Sequence, residues 1–111
     1  MFAVCLVAAL CLSVVDGDTL DVDGERVRLW GVDASERGEA GYLEATKALR
    51  ELVAGGVICV GRHRDRTARR RLVARCFGLD GRDVAVPLVT AGHVVDVRRY
   101  SDGWYAPLEP R

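Results

Sequence analysis

Four side chains in the first third of the chain are of the types needed to hydrolyse a phosphodiester: Asp18, Arg28, Asp33 and Glu36. Water attacks such an ester poorly, so a base or a metal ion must activate it. Negative charge grows on the non-bridging oxygens, so cations must face the phosphorus. A hard divalent cation takes carboxylate and carbonyl oxygens. A guanidinium grips two phosphate oxygens at once, which an ammonium does not. The four residues lie within nineteen positions of one another.

Each also has a plain structural role. Asp16-Gly17-Asp18-Thr19 reads as a tight turn in which Asp18 holds backbone donors. Asp33-Ala34-Ser35-Glu36 has the pattern of a capping box ahead of a helix. Arg28 reads as a surface strand residue paired with Asp21 or Glu25. Taken singly, such residues are more often structural than catalytic. The joint pattern is what points to chemistry.

The elements that must position them follow from periodicity. Val14–Val15 runs into the Asp-Gly turn, and Leu20 and Val22 then alternate with Asp21 and Asp23 as in a half-buried strand. A second Asp-Gly turn leads to a strand over residues 26–32, with Arg26, Arg28 and Trp30 on one face and Val27, Leu29 and Gly31 on the other. Three strands joined this way form a meander. Its first turn and the far end of its third strand lie at the same end of the sheet, so Asp18 and Asp33 converge. From Gly41 to Ala54 the period becomes helical (Tyr42, Ala45, Leu49, Leu52), and Gly55-Gly56 ends the helix. Strands over 57–60 and 72–77 flank an arginine-rich hairpin. Asp83 caps a second helix ending at Gly92, Val94–Val97 is extended, and the tail from Ser101 has no periodicity.

This pattern predicts one domain over residues 1–111 of α+β class: a five-stranded Greek-key barrel of the OB type with two packed helices. The chain has 16 basic and 16 acidic side chains, so it does not coat nucleic acid by net charge alone. The charge is uneven, with ten acidic and five basic residues over 1–61 and six acidic and eleven basic over 62–111. The run Arg62 to Arg71 is the densest positive stretch, either a polyanion contact or a solvated hairpin tip.

None of the four cysteines stands in a zinc-type spacing. Cys59 and Cys76 sit on the two strands flanking the hairpin, where they either form a disulfide or remain buried thiols. The apolar stretch Phe2 to Leu12 is too short to span a bilayer. Cys11 to Val15 reads as strand and the residues before it as the remnant of an export signal. That implies a secreted or periplasmic protein, or a cytoplasmic one if the N-terminus is itself a buried strand.

Val15-Asp16-Gly17-Asp18-Thr19 together with Val27-Arg28-Leu29-Trp30-Gly31-Val32-Asp33-Ala34-Ser35-Glu36 resembles the signature of the staphylococcal nuclease (thermonuclease) family. The resemblance covers roughly residues 11 to 105 and extends to Leu72-Val73-Ala74 and to the second helix. It implies an OB-type barrel that hydrolyses DNA and RNA with Ca²⁺. By resemblance, Asp18, Asp33 and the Ala34 carbonyl bind the metal, Glu36 is the general base, and Arg28 and a second arginine hold the phosphate. Thr19 and Tyr100 border the substrate. Counting back from Leu72-Val73-Ala74 makes the second arginine Arg71, and counting forward from Asp65 makes it Arg69.

The chain departs from that family at three points. Ser35 stands where proline is usual, the hairpin tip is two residues longer and lacks Tyr-Gly, and a third C-terminal helix is missing. The expected substrate is single-stranded or frayed DNA or RNA, cut by a monomer. The alternative is an eroded or truncated OB-type module that binds nucleic acid or protein. As packing residues, Tyr100 and Trp104 would be buried.

Overall fold

The computed structural model describes residues 2–6, 11–67 and 70–110. They form an α+β domain built on a mixed six-stranded sheet, a two-stranded sheet and three short helices. The strands are β1 (Phe2–Cys5), β2 (Leu12–Asp16), β3 (Thr19–Val22), β4 (Glu25–Leu29), β5 (Val32–Ala34), β6 (Val57–Arg64), β7 (Leu72–Gly78) and β8 (Val94–Asp96). The helices are α1 (Tyr42–Leu52), α2 (Ala85–Thr90) and α3 (Arg98–Ser101), followed by a 3₁₀ turn at Ala106–Leu108. The large sheet runs β1-β6-β7-β4-β3-β2, with β1 and β2 at its two edges, and β5 pairs with β8.

The meander is present as β2-β3-β4, antiparallel throughout. Asp23 and Gly24 both take positive φ, 50° and 81°, the backbone that a two-residue hairpin needs to match strand twist. Leu20, Val22, Val27 and Leu29 are buried, so the alternation read in the sequence points its apolar face to the core. Beside this meander β7 runs parallel to β4, pairing Arg28 with Val73 and Val27 with Leu72.

Four expectations change or are decided. The strand read over 26–32 breaks after Leu29, because Gly31 adopts φ +78° and turns the chain into a separate sheet. A Cβ at Gly31 would also stand 3.0 Å from the Ser101 Cβ. The stretch read as an export-signal remnant contains β1, which pairs with β6 through Ala3↔Cys59 and Cys5↔Val57. Cys59 and Cys76 face each other in register and are disulfide-bonded, and a second disulfide joins Cys5 to Cys11.

The fourth change is the tail. Tyr105 is buried at 1 % exposure, while Tyr100 (56 %) and Trp104 (62 %) are the exposed aromatics. Tyr105 packs edge-on against Trp30, and its hydroxyl donates to Asp83 Oδ2 at 2.5 Å. Asp83 also accepts Arg75 Nη2 at 3.0 Å and the Ala85 N–H at 2.9 Å. Burial and the Asp83 carboxylate push the Tyr105 hydroxyl well above the ordinary phenol range. The network leaves the buried Arg75 Nε without a hydrogen-bond partner, but its bonds through Asp83 fix the arrangement of the groups they join. Here it ties the end of the chain to β7 and to the start of α2.

Candidate functional site

The Asp16–Thr19 turn is held from inside. The Asp18 N–H donates to Asp16 Oδ1 at 3.1 Å. Asp18 Oδ1 accepts the Thr19 hydroxyl at 2.8 Å, and Oδ2 accepts the Ala34 N–H at 2.9 Å. Asp18 is thereby bonded across sixteen residues to β5. Gly17 lets α1 approach, since a Cβ there would stand 2.7 Å from the Ala45 Cβ and 2.9 Å from the Ala34 Cβ.

Arg28 reaches across this corner. Its Nη1 donates to the Val32 carbonyl at 2.9 Å and the Leu29 carbonyl at 3.2 Å. It also lies 3.5 Å from Asp18 Oδ2, while Nη2 lies 3.3 Å from Asp33 Oδ1. Asp18 and Asp33 therefore face one another with a guanidinium between them. The pairs Arg28–Asp21 and Arg28–Glu25 do not form, because Asp21 takes Arg26 and Glu25 takes Arg64. The capping-box role for Asp33 and Glu36 does not form either, since α1 starts only after Gly41.

The acids perturb one another. Burial and the adjacent Asp18 push Asp16 up to about 6. Burial alone would raise Asp18, but the Asp16 hydrogen bond, the Arg28 charge and the Ala34 and Thr19 donors hold it below the usual carboxylate value. Burial and the Asp18 charge raise Asp33 against the pull of Arg28, and Glu36 adds to the rise. Glu36 thus lies within electrostatic reach of Asp33. Its backbone N–H donates to Glu39 Oε1, and its carboxylate has no hydrogen-bond partner among the described residues.

A cleft of about 760 Å³ opens beside this corner, lined by Arg28, Asp33, Arg71 and Tyr100 among others. Arg71 enters it because β7 is in parallel register with β4. Asp65 clasps Arg71, accepting its backbone N–H at 3.0 Å and its Nε at 2.7 Å. Burial pushes Asp65 up, but the Thr67 and Arg71 hydrogen bonds outweigh it and hold the carboxyl below its ordinary value. The alternative residue Arg69 lies outside the described residues.

Thr19 is 3 % exposed and spends its hydroxyl on Asp18, so it supports the turn instead of lining the cleft. His63, Arg64, Arg66 and Arg99 also line the cleft. The arginine run signalled the first three as a group, and nothing in the sequence singled out Arg99. Among the described residues no three His, Cys, Asp or Glu side chains gather as a metal-holding group. The donors on this corner are nonetheless oxygens, the type a hard cation takes.

No family model matches the chain. A curated protein of Rhizobium meliloti (strain 1021), named succinoglycan biosynthesis protein ExoI, is 37 % identical over 109 residues. The match covers 87 % of this chain and 56 % of that protein, so the chain spans about half the length of the curated relative it matches.

Proposed function

We propose that the chain is a nuclease of the staphylococcal nuclease type, hydrolysing phosphodiester bonds of DNA or RNA with Ca²⁺. The observation that carries this reading is the convergence of Asp18, Asp33 and Arg28 on one corner, beside a cleft that also holds Arg71. Asp18, Asp33 and the Ala34 carbonyl would hold the cation. Ca²⁺ takes about six to eight oxygens, so water completes its shell. The cation would supply charge neutralisation and an acidified water. Glu36 would take a proton from that water, a role supported by its carboxylate having no hydrogen-bond partner among the described residues. Arg28 and Arg71 offer guanidinium edges to the phosphate oxygens. Tyr100, exposed at the cleft wall, offers a ring to a base.

The OB-type reading of the sheet is part of the same proposal. The parallel β4–β7 pair after a three-stranded meander supports it. So does the Cys5–Cys11 disulfide, which ties β1, the neighbour of β6, to the residue just before β2, the neighbour of β3. Two disulfides support a secreted or periplasmic site of action. No helix among the described residues is long and apolar enough to cross a membrane.

A second reading is a non-catalytic module that binds nucleic acid or protein. The matched relative is named for succinoglycan biosynthesis, a role that the nuclease reading does not account for. A fluorogenic single-stranded DNA and RNA assay in Ca²⁺ against chelator separates the two. Chelator-sensitive cleavage is expected, and its absence from homogeneous folded protein leaves the binding module.

A further inference from the structure

A second cleft, of about 700 Å³, is lined by residues that adjoin the acidic corner in the chain. One wall is β2 at Val14 and Val15, the residues just before Asp16. The opposite wall is α1 at Tyr42 and Arg50, and the lip is the loop at Arg37, the residue just after Glu36. The first cleft takes residues 28–33 and the second takes 14–15 and 37–39. Asp33 itself lines the first cleft, while the second is lined by the chain neighbours of Asp16 and Glu36.

The second cleft has a fixed floor and two uncommitted cations. The Tyr42 hydroxyl donates to the Val15 carbonyl at 3.3 Å, bracing helix against strand. Arg37 and Arg50 have no carboxylate partner among the described residues, although Lys47 on the same helix takes Glu51. Glu39, also in the lining, has its carboxylate turned to the Glu36 N–H.

We infer that a polyanionic strand longer than one diester unit crosses the acidic corner and continues into this second cleft, where Arg37 and Arg50 hold its phosphates. This rests on the nucleic-acid reading above and extends it from a single phosphate to a track joining the two clefts. Such a track favours cutting within a strand over trimming its end.

The test is R37Q/R50Q, two exposed positions where glutamine keeps side-chain length. Binding of a fluorescent oligothymidylate of about 12 residues is measured in chelator over a salt series. Each phosphate contact on a single strand contributes about 0.7 to the slope of log affinity against log salt. The slope should therefore fall by about 1.4 in the double variant, with the thermal melt unchanged. Hydrolysis of bis(p-nitrophenyl) phosphate, too small to reach the second cleft, should be equal in both proteins. An unchanged slope, or no oligonucleotide binding by either protein, overturns the track. A lowered slope in a protein that hydrolyses neither substrate keeps the track and removes the nuclease reading. Cleavage with an unchanged slope does the reverse.

Discussion

The two charged regions that meet at the first cleft are held in opposite ways. Asp18 is an interior group, 6 % exposed, fixed by a backbone N–H, a hydroxyl and a guanidinium from three different segments. Arg71 stands at the mouth of a surface hairpin and is ion-paired with one residue, Asp65. The first region is positioned by the fold, so disturbing it disturbs folding. The second is positioned by one local clasp, so it can be moved at little cost to stability. The arginine side can therefore be altered at far less cost to the fold than the acidic side.

The largest effect expected on either side is on the reaction itself. Arg28→Ala or Glu36→Gln should lower Ca²⁺-stimulated cleavage by about 10²–10⁵-fold, as for other groups facing a transferring phosphate. Steady-state rates on single-stranded DNA measure it, and wild-type rates in both variants would remove the mechanism. Next comes Asp18→Ala, which leaves the Ala34 N–H and the Thr19 hydroxyl buried without an acceptor. Denaturant melts should show a loss of about 4 kcal/mol. A loss below about 1 kcal/mol would mean that the acidic corner is not held from inside.

The arginine side should respond more weakly. Cys59 and Cys76 close a loop of 17 residues behind the hairpin tip. Replacing both with alanine should cost about 3 kcal/mol in melts, while oligonucleotide binding at the cleft stays at wild-type strength. The smallest effect on stability belongs to Asp65→Asn, at most about 1 kcal/mol for a pair near the surface. That variant should nonetheless cut cleavage by about 10-fold by freeing Arg71.

The clasp also has a pH signature. Asp65 is held below its unfolded value of 3.8, so its contribution is complete above that pH and is lost as pH falls through the lower folded value. Nitrogen shifts of the Arg71 Nε across pH 2–5 should follow that loss in the wild type and stay flat in the asparagine variant.

The acidic side was also the more legible. Two Asp-Gly turns and strict alternation through Leu20, Val22, Val27 and Leu29 define the meander without any long-range information, and the meander alone brings Asp18 towards Asp33. The pairing of β6 with β7 was legible as a hairpin around the arginine run, but its register was not, so Cys59 and Cys76 stayed either bridged or free until the pairing put them opposite each other. What stayed hidden depends on partners far away in sequence. β1 lies in an apolar run with no period, so nothing local marks it as an edge strand or pairs Cys5 with Cys11. Tyr105 looked no different from Tyr100 or Trp104. Its burial is decided by Asp83 and Arg75, which no pattern in the tail reveals. The break at Gly31 was missed because the alternation around it is uninterrupted, and only the packing of Ser101 and Tyr105 shows why the chain must turn there.

That packing has a consequence for how the protein would fail. Ser101 and Tyr105 wedge under the Trp30–Gly31 corner, the joint between the strand bearing Arg28 and the strand bearing Asp33. A protease nick between residues 98 and 105 would leave Asp18, Arg28 and Asp33 uncut yet let that joint swing, so the corner would lose its geometry before any visible loss of sheet. The last stretch of the chain acts as a doorstop for a hinge formed long before it in the sequence.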